Sequence, residues 1–247
     1  MHVAVFLDFS KAFDRVFDGL KLLIDKLHDN NHNNYNIGID TLIIKWISNF
    51  LSSRYQMVVV NGALSNHLAV MSGVPHGSVL GPPLFLVYVN DNIGSSLRHS
   101  SISLFADDAL LYCPIQNTGD LVSFQLELSS FEQWANEGCM TCNVKKKCQM
   151  VLFEGKFVID KAAVVYTLYG VPLVVVDSYK YLAVFVSSNF RWDIHMDDIT
   201  SRAYRRLIKR VLNKAPLKVK KVTYLALCRP IIEFAFEVWD LYLVKHE

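Results

Sequence analysis

The stretch Ser103–Tyr112, SLFADDALLY, sets two adjacent carboxylates, Asp107 and Asp108, between apolar runs. Leu104, Phe105 and Ala106 precede the pair, and Ala109, Leu110 and Leu111 follow it. Apolar runs on both sides of a polar break read as a hairpin with residues 106–109 at the turn. Asp suits a turn because its side chain bonds nearby backbone. Yet hairpin turns favour Asn-Gly or Asp-Gly, and neighbouring carboxylates raise each other's pKa. A divalent cation relieves that repulsion, because Mg²⁺ prefers hard carboxylate oxygens. A plain turn and a cation site both stay open on this stretch alone.

A second acidic position narrows the choice. In HVAVFLDFSKAFD, Asp8 ends an apolar strand and the chain turns just after it. It could simply cap the helix that follows. If the two strands are neighbours in one sheet, however, three aspartates converge. Three carboxylates can hold two Mg²⁺ ions about 4 Å apart, an arrangement that clamps the attacking and leaving oxygens of an in-line phosphoryl displacement.

The rest of the chain alternates strands and helices. Phe13, Phe17, Leu20, Leu23, Ile24 and Leu27 recur at helical spacing after a turn at Ser10. An Asn-rich loop follows, then a helix in DTLIIKWISNFLSS with Asp40 as its N-cap. RYQMVVVNG and HLAVMSG read as two strands joined through Asn61-Gly62. GVPHGSVLGPPLFLVYVNDN begins as a Gly/Pro loop and continues as a helix. LVSFQLELSSFEQWANEG is a helix with Leu121, Phe124, Leu128, Phe131 and Trp134 on one side. QMVLFE, FVID, AAVVYTLYG and VPLVVVDSYKYLAVFVSS are further strands, and the end from Ile194 is mainly helical. This interleaving indicates an α/β or α+β domain.

Composition supports a sizeable core, with 52% hydrophobic and 19% charged residues. Net charge is only +2, but it is unevenly placed. Residues 201–221 hold nine Lys/Arg and no Asp/Glu, which leaves 16 basic against 23 acidic residues elsewhere. Five cysteines without even spacing, including a lone Cys139-x-x-Cys142, fit reduced thiols better than a zinc site or disulfide framework. The opening MHVAVFLDFSKAFD lacks the features expected of a signal peptide, and the uncharged stretch over residues 56–90 is broken by Gly and Pro. The expectation is a soluble intracellular protein, nuclear or cytoplasmic, neither secreted nor membrane-bound.

Five stretches in order carry a resemblance to a known family. FLDFSKAFDRV, GVPHGSVLGPPLFLVYVND, LFADDALLY, CNVKKKCQMVLF and YKYLAVFVSSNFRW resemble motifs A to E of reverse transcriptases. The wording is closest to the non-LTR (LINE-type) retrotransposons. The resemblance implies an α+β fold: a right-hand polymerase palm, an antiparallel sheet packed on helices, over residues 1–190, and a helical thumb-like segment over 191–247. It implies an RNA-directed DNA polymerase that uses two Mg²⁺ ions, with Mn²⁺ as the alternative, an RNA template, a DNA primer and dNTPs. Asp8, Asp107 and Asp108 match the metal-binding aspartates, and the backbone carbonyl of Phe9 matches a further ligand. Phe13 matches a steric gate under the sugar, or else a core aromatic. His76 and Gly77 fall in the loop beside the incoming nucleotide, and Lys146 matches a cation for the leaving group, in a run Lys145–Lys147 whose register is open by one residue. Tyr181 and Leu182 match the primer grip. Arg202, Arg205, Arg206, Lys209 and Arg210 form one helical face for nucleic acid, or else a solvated face.

Three departures from the family pattern stand out. His76 replaces the usual Gln, and Ala183 replaces a Gly where φ > 0 is expected to strain an alanine. The fingers region and endonuclease domain of such elements are not in this sequence, so apolar surface is expected to be left exposed. The alternative expectation is a truncated, catalytically incompetent remnant that acts at most as a nucleic-acid or protein-binding module. Oligomeric state does not follow from the sequence.

Overall fold

A computed structural model describes residues 1–15, 23, 39–89, 97–144, 147–155, 164–208 and 215–239. Most of the helix expected after Ser10, and the FVID strand, lie outside the described residues. The chain forms two compact bodies: residues 1–150 with 155–175, and residues 151–154 with 176–247.

In the first body, β1 (His2–Asp8) is buried on both faces from Val3 to Asp8, as expected of a near-continuous apolar run placed centrally in a sheet. α1 (Thr41–Leu51) begins where Asp40 accepts a hydrogen bond from the Leu42 N–H at 2.7 Å, the cap read from the sequence. The segment after it forms two short antiparallel pairs. β2 (Arg54–Gln56) pairs with β5 (Leu68–Val70), and β3 (Val59–Val60) pairs with β4 (Ala63–Leu64) across Asn61-Gly62. Both turn residues have positive φ, +50° and +83°, which explains that dipeptide. α2 (Gly81–Val89) buries Leu84, Phe85, Tyr88 and Val89.

β6 (Ser101–Phe105) and β7 (Asp108–Pro114) form the hairpin expected around the aspartates. Its turn is shorter than expected: Ala106 and Asp107 make the link, while Asp108 is already a strand residue. α3 (Thr118–Glu137) opens with a reciprocal capping box between Asn117 and Asp120. It buries Phe124, Leu128, Phe131 and Ala135, and also Glu127. β8 (Gln149–Phe153), β9 (Thr167–Leu168), β10 (Val171–Pro172) and β11 (Val174–Val175) follow. The main sheet has the order β11-β8-β1-β7-β6. β1, β7 and β6 are antiparallel, as expected, but β11 runs parallel to β8, so the sheet is mixed rather than purely antiparallel.

The second body contains the hairpin of β12 (Ser178–Tyr181) and β13 (Val184–Ser187), then α4 (Asp193–Ile208) and α5 (Leu217–Thr223). Leu182 and Ala183 link the two strands at φ +46° and +70°. The alanine therefore adopts the left-handed conformation that its Gly-like position suggested, at a cost of roughly 1 kcal/mol. Among the described residues, no helix is long and apolar enough to cross a membrane.

Candidate active site

Register builds the site. β1 and β7 pair antiparallel from His2↔Pro114 to Asp8↔Asp108. Directly opposed residues on antiparallel strands carry side chains on the same face, with Cβ atoms about 5 Å apart. Asp8 and Asp108 are therefore neighbours, although 100 positions separate their numbers. The Phe9 N–H donates to the Asp107 carbonyl at 3.1 Å and draws the turn against the end of β1. On the other side, the Asn143 N–H donates to the Asp8 carbonyl at 2.9 Å and the Ser10 N–H to the Thr141 carbonyl at 2.8 Å. The end of β1 is thus held between the aspartate turn and residues 141–143.

The electrostatics match that crowding. Burial pushes the Asp108 carboxyl above its ordinary value, and the negative charges of Asp107 and Asp8 push it further. Lys147 acts against them. Its Nζ donates to Asp8 Oδ1 at 2.7 Å, and that bond holds the ammonium more firmly protonated than usual. The Asp8 side chain is 9% exposed and that of Lys147 58%, so a buried carboxylate meets a cation reaching in from solvent. Lys146 lies outside the described residues.

The turn after β1 and the loop before α2 meet directly. The Val74 N–H donates to the Phe13 carbonyl at 3.0 Å. Gly73, at φ +81°, sits so close that an added Cβ would lie 2.8 Å from that same carbonyl oxygen. Only glycine fits this approach. Phe13 stacks on Phe85 with ring centroids 4.3 Å apart, and His76 lies 5.7 Å from the Phe13 ring. His76 Nε2 is 2.8 Å from Asp14 Oδ1. Gly77 has φ +76° and open space where a side chain would be. Phe9 is buried, and its ring stacks on Phe131 at 6.0 Å.

Asp8, Phe9, Phe13, His76, Gly77, Asp107 and Asp108 thus all belong to the first body. Tyr181 and Leu182 belong to the second, at the β12–β13 turn. Of the basic face, Arg202 Nη1 is 3.4 Å from Asp198 and Arg205 donates to the Ser201 carbonyl at 3.2 Å. The Arg206 side chain and Lys209 and Arg210 lie outside the described residues. The sequence reading missed Gly73, Asp14 and Glu127. The second Asp of DFSKAFD was a signal for Asp14, and the open register of the lysine run was one for Lys147.

The donor set at the end of β1 suits a hard divalent cation: carboxylate oxygens, mutual repulsion and partial burial. Among the described residues, though, no three His, Cys, Asp or Glu side chains are already gathered closely enough to cage a metal ion.

A family model described as Reverse transcriptase (RNA-dependent DNA polymerase) matches residues 1–226. A probable RNA-directed DNA polymerase from transposon BS of Drosophila melanogaster is 28% identical over 96% of this chain and 26% of its own length. The RNA-directed DNA polymerase from mobile element jockey of Drosophila funebris is 26% identical over 98% of this chain and 26% of its own. A probable RNA-directed DNA polymerase from transposon X-element of Drosophila melanogaster is 25% identical over the same shares. The chain spans about a quarter of the length of these curated relatives.

Proposed function

The chain belongs to the reverse transcriptase (RNA-dependent DNA polymerase) family, as a domain of the non-LTR retrotransposon type, and from that premise we propose that Asp8, Asp107 and Asp108 carry nucleotidyl transfer. The reaction is attack of a primer 3′-OH on the α-phosphate of a dNTP, directed by an RNA template. The observation that carries this reading is the Asp8↔Asp108 register, which sets a further carboxylate, Asp8, directly opposite the second aspartate of the pair.

Two divalent cations held by these carboxylates, and by the Phe9 carbonyl, would stabilise the attacking and leaving oxygens. The protein's own groups do the rest. The Phe9–Asp107 and Asn143–Asp8 backbone bonds fix where the carboxylates stand. Phe13, backed by Phe85, offers a rigid ring against which a sugar 2′-OH would clash. His76, tied to Asp14, and Gly77, with no side chain, border the space beside that ring. Lys147 supplies a cation at Asp8 that could neutralise a pyrophosphate leaving group, the role the sequence assigned one position earlier. Tyr181 and Leu182 are read as a primer grip, Arg202, Arg205, Arg206, Lys209 and Arg210 as phosphate contacts, residues 1–190 as the palm and 191–247 as thumb-like.

Lys147 also supports a second reading, in which the chain's own ammonium neutralises the cluster and the domain binds nucleic acid or protein without catalysis. Primer extension on an RNA template with Mg²⁺ separates the two. Incorporation of dNTPs that Asp107→Ala abolishes supports catalysis. No incorporation by the unaltered chain, beside robust binding of a primer–template duplex, supports the second reading.

A further inference from the structure

α3 holds surrounding backbone with polar side chains, and one of them is out of place. Gln125 pairs with both backbone groups of Thr167, accepting at 2.9 Å and donating at 3.0 Å, and Glu132 accepts from the Tyr169 N–H at 2.8 Å. Those are partly exposed contacts. Glu127 instead is 6% exposed, on the face that buries Phe124, Leu128 and Phe131. A carboxylate there is tolerable only if its charge is met by donors. Three backbone N–H groups meet it: Arg98 and His99 donate to Oε1 and Ser100 to Oε2, each at 2.8 Å. Burial alone would raise this carboxyl, but the hydrogen bonds from the 98–100 turn outweigh it and hold the group below its ordinary value.

Those three donors are the residues immediately before β6. β6 is the edge strand of the main sheet and lies beside β7. The Cys113 thiol donates to the His99 carbonyl at 3.4 Å, a second tie between this turn and β7. At the far end Phe105 pairs with Asp108, and the Ala106–Asp107 link, with Ala106 at φ +50°, has no spare residue. A slip of one residue at the entry of β6 would turn every side chain of that strand to the other face and remake the aspartate turn.

We propose that Glu127 is a positioning residue for the Asp107–Asp108 turn. Its carboxylate fixes the entry of β6, and β6, through its pairing with β7, fixes the aspartates against Asp8. The inference rests on reading that cluster as a cation site. Charge is the property the clamp requires. An amide at 127 would bring an NH₂ group, itself a donor, against converging N–H donors.

Mn²⁺ titration followed by electron paramagnetic resonance, on the full chain, tests this together with thermal melting. Glu127→Gln is expected to melt cooperatively, to bind Mn²⁺ about tenfold more weakly, and to exchange the amide hydrogens of residues 101–105 faster. Glu127→Asp, which keeps the charge on a shorter arm, is expected to fall between. A folded Glu127→Gln chain with unchanged Mn²⁺ affinity overturns the proposal. If Glu127→Gln does not melt cooperatively, Glu127→Asp decides, and affinity equal to the unaltered chain overturns the proposal. Mn²⁺ binding lost in Asp108→Asn yet indifferent to Glu127 sinks the positioning role alone. If the unaltered chain shows no Asp108-dependent binding, the cation-site reading falls and this inference falls with it.

Discussion

Two regions of the first body are built from similar residues and end in opposite circumstances. β1 and β7 are apolar strands whose Val3, Val5 and Leu111 are fully buried. The arm from β2 to β5 also carries an apolar run, yet Val58, Val59 and Val60 are each more than 60% exposed, with Tyr55, Leu64, Leu68 and Met71 similarly open. β1 sits in the middle of a five-stranded sheet, whereas among the described residues the arm's strands pair only within two-stranded pieces. An isolated two-stranded ladder leaves both faces without cover. The difference teaches that an apolar run specifies a strand but not its burial, which depends on what packs against it. It also explains why the charged cluster stands at the end of β1. A buried ladder holds its register tightly, and register is what brings Asp8 to Asp108.

The sharpest way to break this contrast is to truncate each region. Leu111→Ala is expected to cost about 3 kcal/mol in denaturant unfolding, through the cavity it leaves in the packed ladder. Val59→Thr in the arm should change stability by no more than about 0.5 kcal/mol while raising solubility. Comparable losses at both sites would mean that the arm is covered in solution. Gly73→Ala tests the foot of the arm, where the chain passes against Phe13. The clash with the Phe13 carbonyl and the positive φ should cost about 2 kcal/mol, read as a lowered melting temperature.

A smaller, pH-dependent effect belongs to the second body. His195 is buried between the Trp192 and Trp239 rings, its Nε2 has no hydrogen-bond partner among the described residues, and Nδ1 accepts from the Phe185 N–H at 3.4 Å. Burial lowers its pKa, and Lys180 and Arg202 add to that, against the opposing pull of Asp198. The unfolded chain therefore takes up the proton first. This contribution to stability is complete above about pH 6.5 and is lost as pH falls through the depressed folded value. His195→Phe should flatten the decline between neutral and mildly acidic pH in urea titrations. The smallest effect returns to the ladder's end. Asp108→Asn should stabilise the chain by a few tenths of a kcal/mol in the absence of divalent cations, because it removes a partly exposed, repelled charge.

Much of this was legible in the sequence. The strands around Asp8 and Asp107–Asp108 showed in their apolar runs, the Asn61-Gly62 turn in its dipeptide, and the strain at Ala183 in its position. Glu127 was not legible, because helical periodicity places a residue on a face but does not reveal which backbone N–H groups will meet it there. Gly73 was hidden for a related reason: its glycine requirement comes from the Phe13 carbonyl, sixty positions earlier. The parallel β8–β11 pair was equally hidden, because strand direction at a sheet edge leaves no trace in so short a segment.

On the reading proposed above, the acidic end of β1 and β7 is a cation site and not merely a costly turn. That reading is tested most directly by melting the chain with and without millimolar Mg²⁺ at matched ionic strength. Binding only to the folded state raises the melting temperature by mass action. Such a rise is expected for the unaltered chain, together with its loss when Asp8 and Asp108 are both replaced by Asn. An unaltered chain whose melting is indifferent to Mg²⁺, or a rise that survives the double replacement, would contradict it.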